Sequence, residues 1–322
     1  MRAALLLLMG AVGCAGAMGC AGAVGAPSTA MVEQDDPEEI LRAGRAALDE
    51  AGLDRLVWAL TPYLITDTME ARYRPVFDHV EGRLGVAIDV VVGTTYADME
   101  QRVVSGSVDL GVLPPYAYVQ GQAREPGMTV FASHVAEGSP TYACYVIVQD
   151  GDRAGSLRDL RGRTLAFVDK KSTSGWLVPA ARLLEEGLDP LEDVRPVFLG
   201  SHDAVFDAVA DGRASAGAIY GGALTGARKR RPNAPAVRVL AKGARMPNDA
   251  YVARPGFPPA AARALAQALS EISTRTATGR RILGVDGAIN GFMAVDDSHY
   301  DVVRAVERTV LTRTGGAAPP TP

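Results

Sequence analysis

Apolar and polar positions alternate in short blocks along most of this chain. Residues 55–60, 87–92, 109–113, 129–133, 142–148, 164–168, 195–199, 214–220 and 237–241 are compact apolar runs of strand length. Runs of this kind read as buried strands. Between them the period lengthens. Met69, Tyr73, Val76, Phe77, Val80 and Leu84 recur at helical spacing across 67–84. Segments 96–105, 176–186, 204–210, 258–273 and 299–312 also read as helices, as does 38–51 near the start. Pro114-Pro115 breaks the chain after the third strand. Strands and helices in this alternation predict α/β lobes with mainly parallel sheets. Two strands, 142–148 and 237–241, lack an evident following helix. They read as crossings between a first lobe, a second lobe and a return to the first. The expected organisation is a first lobe at 53–143, a second at 144–239, a return at 240–313 and a disordered Gly/Ala/Pro-rich tail at 314–322.

The first residues set the compartment. Met1-Arg2 is a positive start, and Ala3 opens an apolar run of signal-peptide length, too short to span a bilayer. Gly13-Cys14 and Gly19-Cys20 follow among small residues. A Gly-Cys in this place resembles the lipobox of bacterial lipoproteins, in which the cysteine becomes the diacylated N-terminus; the alternative is an ordinary secretory signal with incidental cysteines. Cys14 fits the short apolar run better than Cys20. Residues 1–20 thus read as a lipoprotein-type signal peptide, and 21–52 as a tether with a possible helix. The expected location is the periplasm or cell envelope, with a lipid anchor at Cys14.

Composition narrows the function. The chain has 322 residues, enough for two lobes with separate cores, and 48% are hydrophobic. Its formal net charge of -4 argues against a nucleic-acid or membrane-surface binder. An anionic ligand would be held by local dipoles. Cys144 is the one cysteine of the folded part and reads as a buried, inert thiol. His79, His134, His202 and His299 are scattered, so no metal site and no cofactor is expected. Ser201-His202-Asp203 is no catalytic triad, because adjacent side chains diverge, and no Gly-x-Ser-x-Gly elbow or P-loop is present.

The most informative segment is Asp169-Lys170-Lys171-Ser172-Thr173-Ser174-Gly175-Trp176. A buried strand runs into three hydroxyl residues, and a helical pattern follows. Hydroxyls and unpaired backbone N–H groups at a helix start favour an anion. An ordinary N-cap explains one such residue and leaves the other two over-provided. Lys170 and Lys171 read as a solvated loop. Gly200-Ser201-His202-Asp203 repeats the strand-to-helix turn, with His202 either a ligand contact or an exposed neighbour of a capping serine. Thr95-Tyr96 and Pro114-Pro115-Tyr116-Ala117-Tyr118 are strand-end loops of the first lobe, where tyrosine hydroxyls could donate.

Together these blocks resemble the phosphonate/phosphite-binding family of ABC-transporter periplasmic proteins, across residues 56–255. Val108-Asp109-Leu110, Ser156 through Gly162 and Met246-Pro247-Asn248-Asp249 belong to the likeness. It implies a two-lobed type 2 periplasmic-binding fold with a two-strand hinge. It implies that Ser172, Thr173 and Ser174 hold the oxyanion, that Tyr96 and Tyr118 close on it from the first lobe, and that His202 meets it from the second. Asp203 would be a helix-start residue. The family's acidic positions near Ser215 and Gly221-Gly222 are absent, which favours phosphite, methylphosphonate or phosphate over an aminophosphonate. The implied partners are a small oxyanion and an ABC permease in the membrane, with the protein a monomer. The rival functions are a sensor lipoprotein serving a membrane signalling partner and a phosphonate-handling enzyme.

Overall fold

The computed structural model describes residues 36–63, 66–284 and 288–314, with the side chains of 66–68 set aside. The signal segment, Cys14, Cys20, the tether before residue 36 and the tail from 315 lie outside the described residues.

The chain begins with α1 (Pro37–Glu50), β1 (Arg55–Leu60), α2 (Thr66–Leu84), β2 (Ala87–Val92), α3 (Tyr96–Val104), β3 (Leu110–Leu113), α4 (Pro115–Arg124) and β4 (Thr129–Ala136). It passes through the two-residue β5 (Thr141–Tyr142) into β6 (Cys144–Gln149), β7 (Thr164–Phe167), α5 (Val178–Glu185), β8 (Arg195–Phe198), α6 (His202–Ala210), β9 (Ala216–Tyr220), α7 (Gly221–Arg230) and β10 (Val237–Lys242). It returns through β11 (Met246–Pro247) to β12 (Ala250–Ala253), α8 (Pro259–Ser270), α9 (Ala277–Leu283), β13 (Ile289–Ala294) and α10 (Asp301–Arg313).

These strands form two sheets, one per lobe. The first has the order β13-β4-β12-β3-β1-β2 and the second β10-β6-β9-β7-β8. The expected parallel core is present in both. β1 pairs in parallel with β2 and β3, and β7 with β8 and β9, where helical crossovers join the strands. Each sheet is completed by antiparallel strands: β4, β12 and β13 in the first, β6 and β10 in the second, with β4, β6, β10 and β12 flanking the crossings between lobes.

The crossings differ in place from the sequence reading. Segments 142–148 and 237–241 were expected to cross between lobes. Instead β6 and β10 pair with each other inside the second sheet, and β10 runs to Lys242. The chain crosses on β5 and β11, which pair antiparallel with Tyr142 opposite Met246 and Thr141 opposite Pro247. Two residues per strand are too few to show a hydrophobic period, so no pattern in the sequence marks them.

Both faces of each sheet are covered, and period two sorts the side chains. In β1, Leu56, Trp58 and Leu60 face a core built with α1, α2 and α8, while Ala59 faces the opposite one. Trp58 packs its ring on Phe77 at 4.7 Å between centroids. In β7, Leu165 and Phe167 face α5, while Ala166 faces α6. One core cluster runs unbroken from α3 and α4 of the first lobe to α5 of the second, with Tyr300, Val303 and Val310 of the last segment packed into it. Arg313 of α10 also donates to the carbonyl of Leu184 in the second lobe, at 2.8 Å.

Helix α1 belongs to the first lobe and not to the tether. Asp36 caps it by accepting the Glu38 N–H at 3.1 Å, Pro37 pre-sets the first turn, and Leu41, Gly44 and Leu48 are buried. Gly44 lets α1 lie directly on α8, since an added Cβ would stand 2.1 Å from that of Ala264. Gly44→Val should therefore destabilise the protein by about 1–3 kcal/mol through overpacking. That is a fall in thermal midpoint of roughly 2–4 °C per kcal/mol; a midpoint that stays put in calorimetry would show that α1 does not bear on this core.

Candidate functional site

The strand-to-helix turn after β7 is the centre of the site. Asp169 folds the turn by accepting the Lys171 N–H on its side chain at 2.7 Å and the Ser172 N–H on its carbonyl at 2.9 Å. Ser172 then caps the helix, its hydroxyl oxygen accepting the Gly175 N–H at 3.0 Å. Residues Thr173–Leu177 make one turn of π-helix before α5 begins, with the Leu177 N–H donating to the Ser172 carbonyl. A π turn is wider than an α turn and is found disproportionately at functional sites. The opening N–H groups of a helix have no intrahelical acceptor. Gly175 is needed here because a Cβ would meet Val168 at 2.4 Å.

Ser172, Thr173 and Ser174 are all at most 3% exposed, yet they line the cleft between the lobes. The Thr173 hydroxyl accepts the Tyr116 N–H across the lobe boundary at 2.9 Å. Ser172 likewise accepts from Gly175. A hydroxyl that accepts in this way keeps its own hydrogen to donate. The turn thus supplies up to three O–H donors and free amides around one point.

Other elements face this turn. Tyr96 is the first residue of α3, behind Thr95, whose hydroxyl accepts the Asp98 N–H at 3.0 Å. Its ring is buried, and its hydroxyl faces that of Ser172 without a well-formed hydrogen bond among the described residues. His202 opens α6 behind the capping Ser201. Its Nδ1 is buried without a partner among the described residues, and its ring stands edge-on to Tyr220 at 4.8 Å. Its N–H reaches the Tyr63 carbonyl of the first lobe at 3.5 Å. Burial pushes His202 down to about 3, so the ring is neutral at ordinary pH.

Five of the expected residues, Tyr96, Ser172, Thr173, Ser174 and His202, therefore come together in one cleft with a cavity of about 90 Å³ that opens to solvent. Tyr118 does not. The chain after Pro114-Pro115 is a helix and not a loop, with Pro115 at its first position. The helix carries Tyr118 away from the cleft, where its hydroxyl donates to Asp297 at 2.6 Å and its ring meets Tyr300. From this segment it is the Tyr116 N–H that serves the site. Asp203 pairs with Arg230 at 3.2 Å, in keeping with a helix-start role. Cys144 is buried and its thiol is held well up by burial, which leaves it unreactive. Lys170 lies over the Phe198 ring, and Lys171 is paired with buried Glu100, so neither is a merely solvated loop residue.

The structure adds residues that the pattern did not single out. Tyr63, Tyr142 and Tyr220 wall the cleft, with Tyr220 at 6.5 Å from Tyr63 and 6.0 Å from Tyr142 between ring centroids. Tyr142 comes from the hinge strand β5, and its hydroxyl faces those of Thr173 and Ser174. Asp249, next to hinge strand β11, also lines the cleft, and burial alone holds its carboxyl up at about 7. An acid thus enters from a segment other than the two where the sequence lacked one. Asn248 donates to the carbonyls of His134 at 2.9 Å and Ser139 at 3.0 Å, which fixes this corner. His134, remote from His202 in sequence, shares the cleft with it and is pushed down to about 4 by burial. Among the described residues no three His, Cys, Asp or Glu side chains gather as a metal site. The signal that could have found these residues is position: Tyr142, Tyr220 and Asp249 stand at strand ends facing the interlobe crevice, where open α/β sheets bind ligands.

Comparison with known proteins bears on the family and the fold. Residues 58–300 match the family described as ABC transporter, phosphonate, periplasmic substrate-binding protein. The phosphate-import protein PhnD of Mycolicibacterium smegmatis is 31% identical over 177 residues, covering 52% of this chain and 55% of that protein. The phosphonates-binding periplasmic protein of Escherichia coli is 24% identical over 147 residues, covering 44% of each. The chain spans about half the length of the curated relatives it matches. Among solved structures, a binding protein component of an ABC phosphonate transporter from Pseudomonas aeruginosa superposes with a TM-score of 0.72 at 20% identity, over 80% of this chain and 88% of that one. PhnD1 of Prochlorococcus marinus in complex with methylphosphonate gives 0.70 at 18% identity, over 82% and 99%. The fold is thus that of the two-lobed binding proteins, and the chain belongs to the family of periplasmic phosphonate-binding proteins of ABC transporters.

Proposed function

We propose that this protein is the solute-binding component of an ABC uptake transporter and captures a small tetrahedral oxyanion, such as phosphonate, phosphite or phosphate, between its lobes. One observation carries the reading: buried hydroxyls of Ser172, Thr173 and Ser174 at a helix start face unpartnered polar atoms of Tyr96 and His202 across a cleft. A buried polar atom without a partner is costly, and a ligand with several acceptor oxygens would satisfy this set at once. The relatives support the ligand class, since one imports phosphate and one binds phosphonates. In this reading the first lobe comprises 36–143 and 243–313 and the second 144–242, so helix α1 joins the first lobe and all of β10 the second. The closed form is what the membrane permease recognises. Cys14 carries the lipid that holds the monomer at the envelope. No helix among the described residues is long and apolar enough to cross a membrane.

Asp249 refines the ligand. A carboxylate beside a dianion in a dry cleft is repulsive, and one proton shared between them removes the repulsion. The group therefore suits an oxyanion that bears a hydroxyl, with Asp249 accepting the P–OH hydrogen when ionised or donating its own when protonated.

Three outcomes are expected. In a thermal-shift screen phosphate, phosphite or methylphosphonate should raise the midpoint; stabilisation by 2-aminoethylphosphonate with none by these three would overturn the ligand class. Ser174→Ala should weaken anion binding by about 10- to 100-fold, as expected for one hydrogen bond to a charged group, with the ligand-free midpoint kept. Unchanged affinity in calorimetry would remove the turn from the site. The third outcome concerns pH. The Asp249 carboxyl is raised, so its proton is kept well above the unfolded value of about 3.9 and is lost as pH rises through about 7. Affinity for methylphosphonate should then fall from about pH 6 to about pH 8 in the wild type by roughly tenfold more than in Asp249→Asn. The variant as reference cancels the ligand's own titration. A wild-type-to-variant ratio that stays level with pH would put Asp249 outside the binding event.

A further inference from the structure

Next to the hydroxyl turn, but not lining the cleft, is a charged cluster that no ligand contact requires. Glu100 of α3 is fully buried. Its Oε1 pairs with Arg124, the last residue of α4 in the same lobe. Its Oε2 pairs with Lys171, which comes from the second lobe. Lys171 Nζ also donates to Gln120 Oε1 at 3.0 Å, Gln120 Nε2 donates to the Tyr116 hydroxyl at 2.8 Å, and the Tyr116 N–H donates to Thr173. The network therefore leaves the turn at Lys171 and returns to it at Thr173.

We propose that Lys171 is a positioning residue: its ion pair with Glu100 latches the hydroxyl turn against the first lobe and sets anion affinity without touching the anion. The inference rests on the binding function proposed above. Glu100 stands one helical turn after Tyr96, on the same face of α3, and Lys171 immediately precedes Ser172. The pair thus ties the element that presents Tyr96 to the element that presents the three hydroxyls. When the lobes part, Lys171 leaves with the second lobe while Arg124 stays with the first. The buried carboxylate then keeps one of its two cations. A buried charge that loses a partner is strongly disfavoured, so the pair adds a bias toward closure that is present before any ligand arrives. A ligand that binds the closed form gains affinity by the fraction of molecules already closed. This gain is the same for every anion, because Lys171 meets none of them.

Lys171→Met keeps the aliphatic stem and removes the charge, and Glu100→Gln keeps the shape of the buried acid. Spin labels at Ser105→Cys and Lys229→Cys, exposed positions on the first and second lobes, would report closure by pulsed distance measurement. Without ligand, either substitution should shift the distance distribution toward longer values, and the double variant should shift it no further than a single one. Calorimetry should show inorganic phosphate and methylphosphonate both weakened by the same factor, roughly tenfold. An unchanged ligand-free distribution in both variants would overturn the latch. So would a loss of affinity that differs between the two anions, which would make Lys171 a direct contact, or a ligand-free melting midpoint that collapses in both variants, which would make the pair a determinant of the fold. If the wild type binds neither anion, the binding function fails, while the ligand-free distances still decide the latch on their own.

Discussion

The proposed site answers to one constraint: at the hydroxyl turn, negative charge would be met by neutral donors whose positions are fixed before the charge arrives. An ammonium group would be attracted from any direction, whereas an O–H or N–H acts only along its own axis. Neutral donors therefore demand a rigid mount. The mounts here are helix starts. Ser172 and its neighbours open the helix that continues as α5, Tyr96 opens α3, and His202 opens α6, each behind a hydroxyl residue whose oxygen accepts an N–H three residues on. In each case the cap that stabilises the helix also fixes where the next side chain points. Local stability and site geometry are the same interaction.

Burial holds three titratable groups of the cleft neutral, beside the Arg72 and Glu137 side chains that also line it. His202 and His134 are pushed down to about 3 and about 4, and Asp249 up to about 7. All three shifts have desolvation as their cause, so these three groups add little net charge to the ligand-free cleft below neutrality. Low dielectric also strengthens each donor-to-anion bond. The tyrosines serve both ends: Tyr63, Tyr142 and Tyr220 exclude water with their rings, while a hydroxyl such as that of Tyr142 joins the serine and threonine set.

Much of this was legible in the chain because it depends on local rules. The long strands showed as apolar runs, since both faces of β1 and β7 are covered. The hydroxyl triplet exceeded what a cap needs, and its neighbours matched a known family. What escaped had no local signature. The helix α4 opens on Pro115 and is built of residues such as Ala117 and Gly121, so its burial on several sides hides any amphipathic period. The helix α7 opens on two glycines, poor helix formers that tertiary packing overrides. The hinge strands are two residues each. Tyr118 was placed in the site because a loop was expected where a helix stands, and three residues along a helix point elsewhere than three along a loop. Asp249 and Tyr142 reach the cleft only through the pairing of β5 with β11, a contact between residues more than a hundred positions apart.

In the proposed closing motion that pairing would let the crevice be both firm and able to open. Residues from the crossings, Tyr142 and Asp249, lie beside the axis about which the lobes would turn, so they move least. Of those at the helix starts, Tyr96 lies on the first lobe and the hydroxyl turn and His202 on the second, so Tyr96 would separate most from the others. Two of the contacts between lobes at the cleft, Tyr116 to Thr173 and His202 to Tyr63, are hydrogen bonds donated by backbone N–H groups, at 2.9 and 3.5 Å. Bonds of this kind exchange readily for water when the crevice opens, with a modest net cost of about 1 kcal/mol each. A buried carboxylate shared by cations from both lobes does not exchange so evenly, because on opening Glu100 keeps Arg124 and loses the charge of Lys171. The ion pair therefore weighs more on the resting balance between open and closed than the neutral bonds around it.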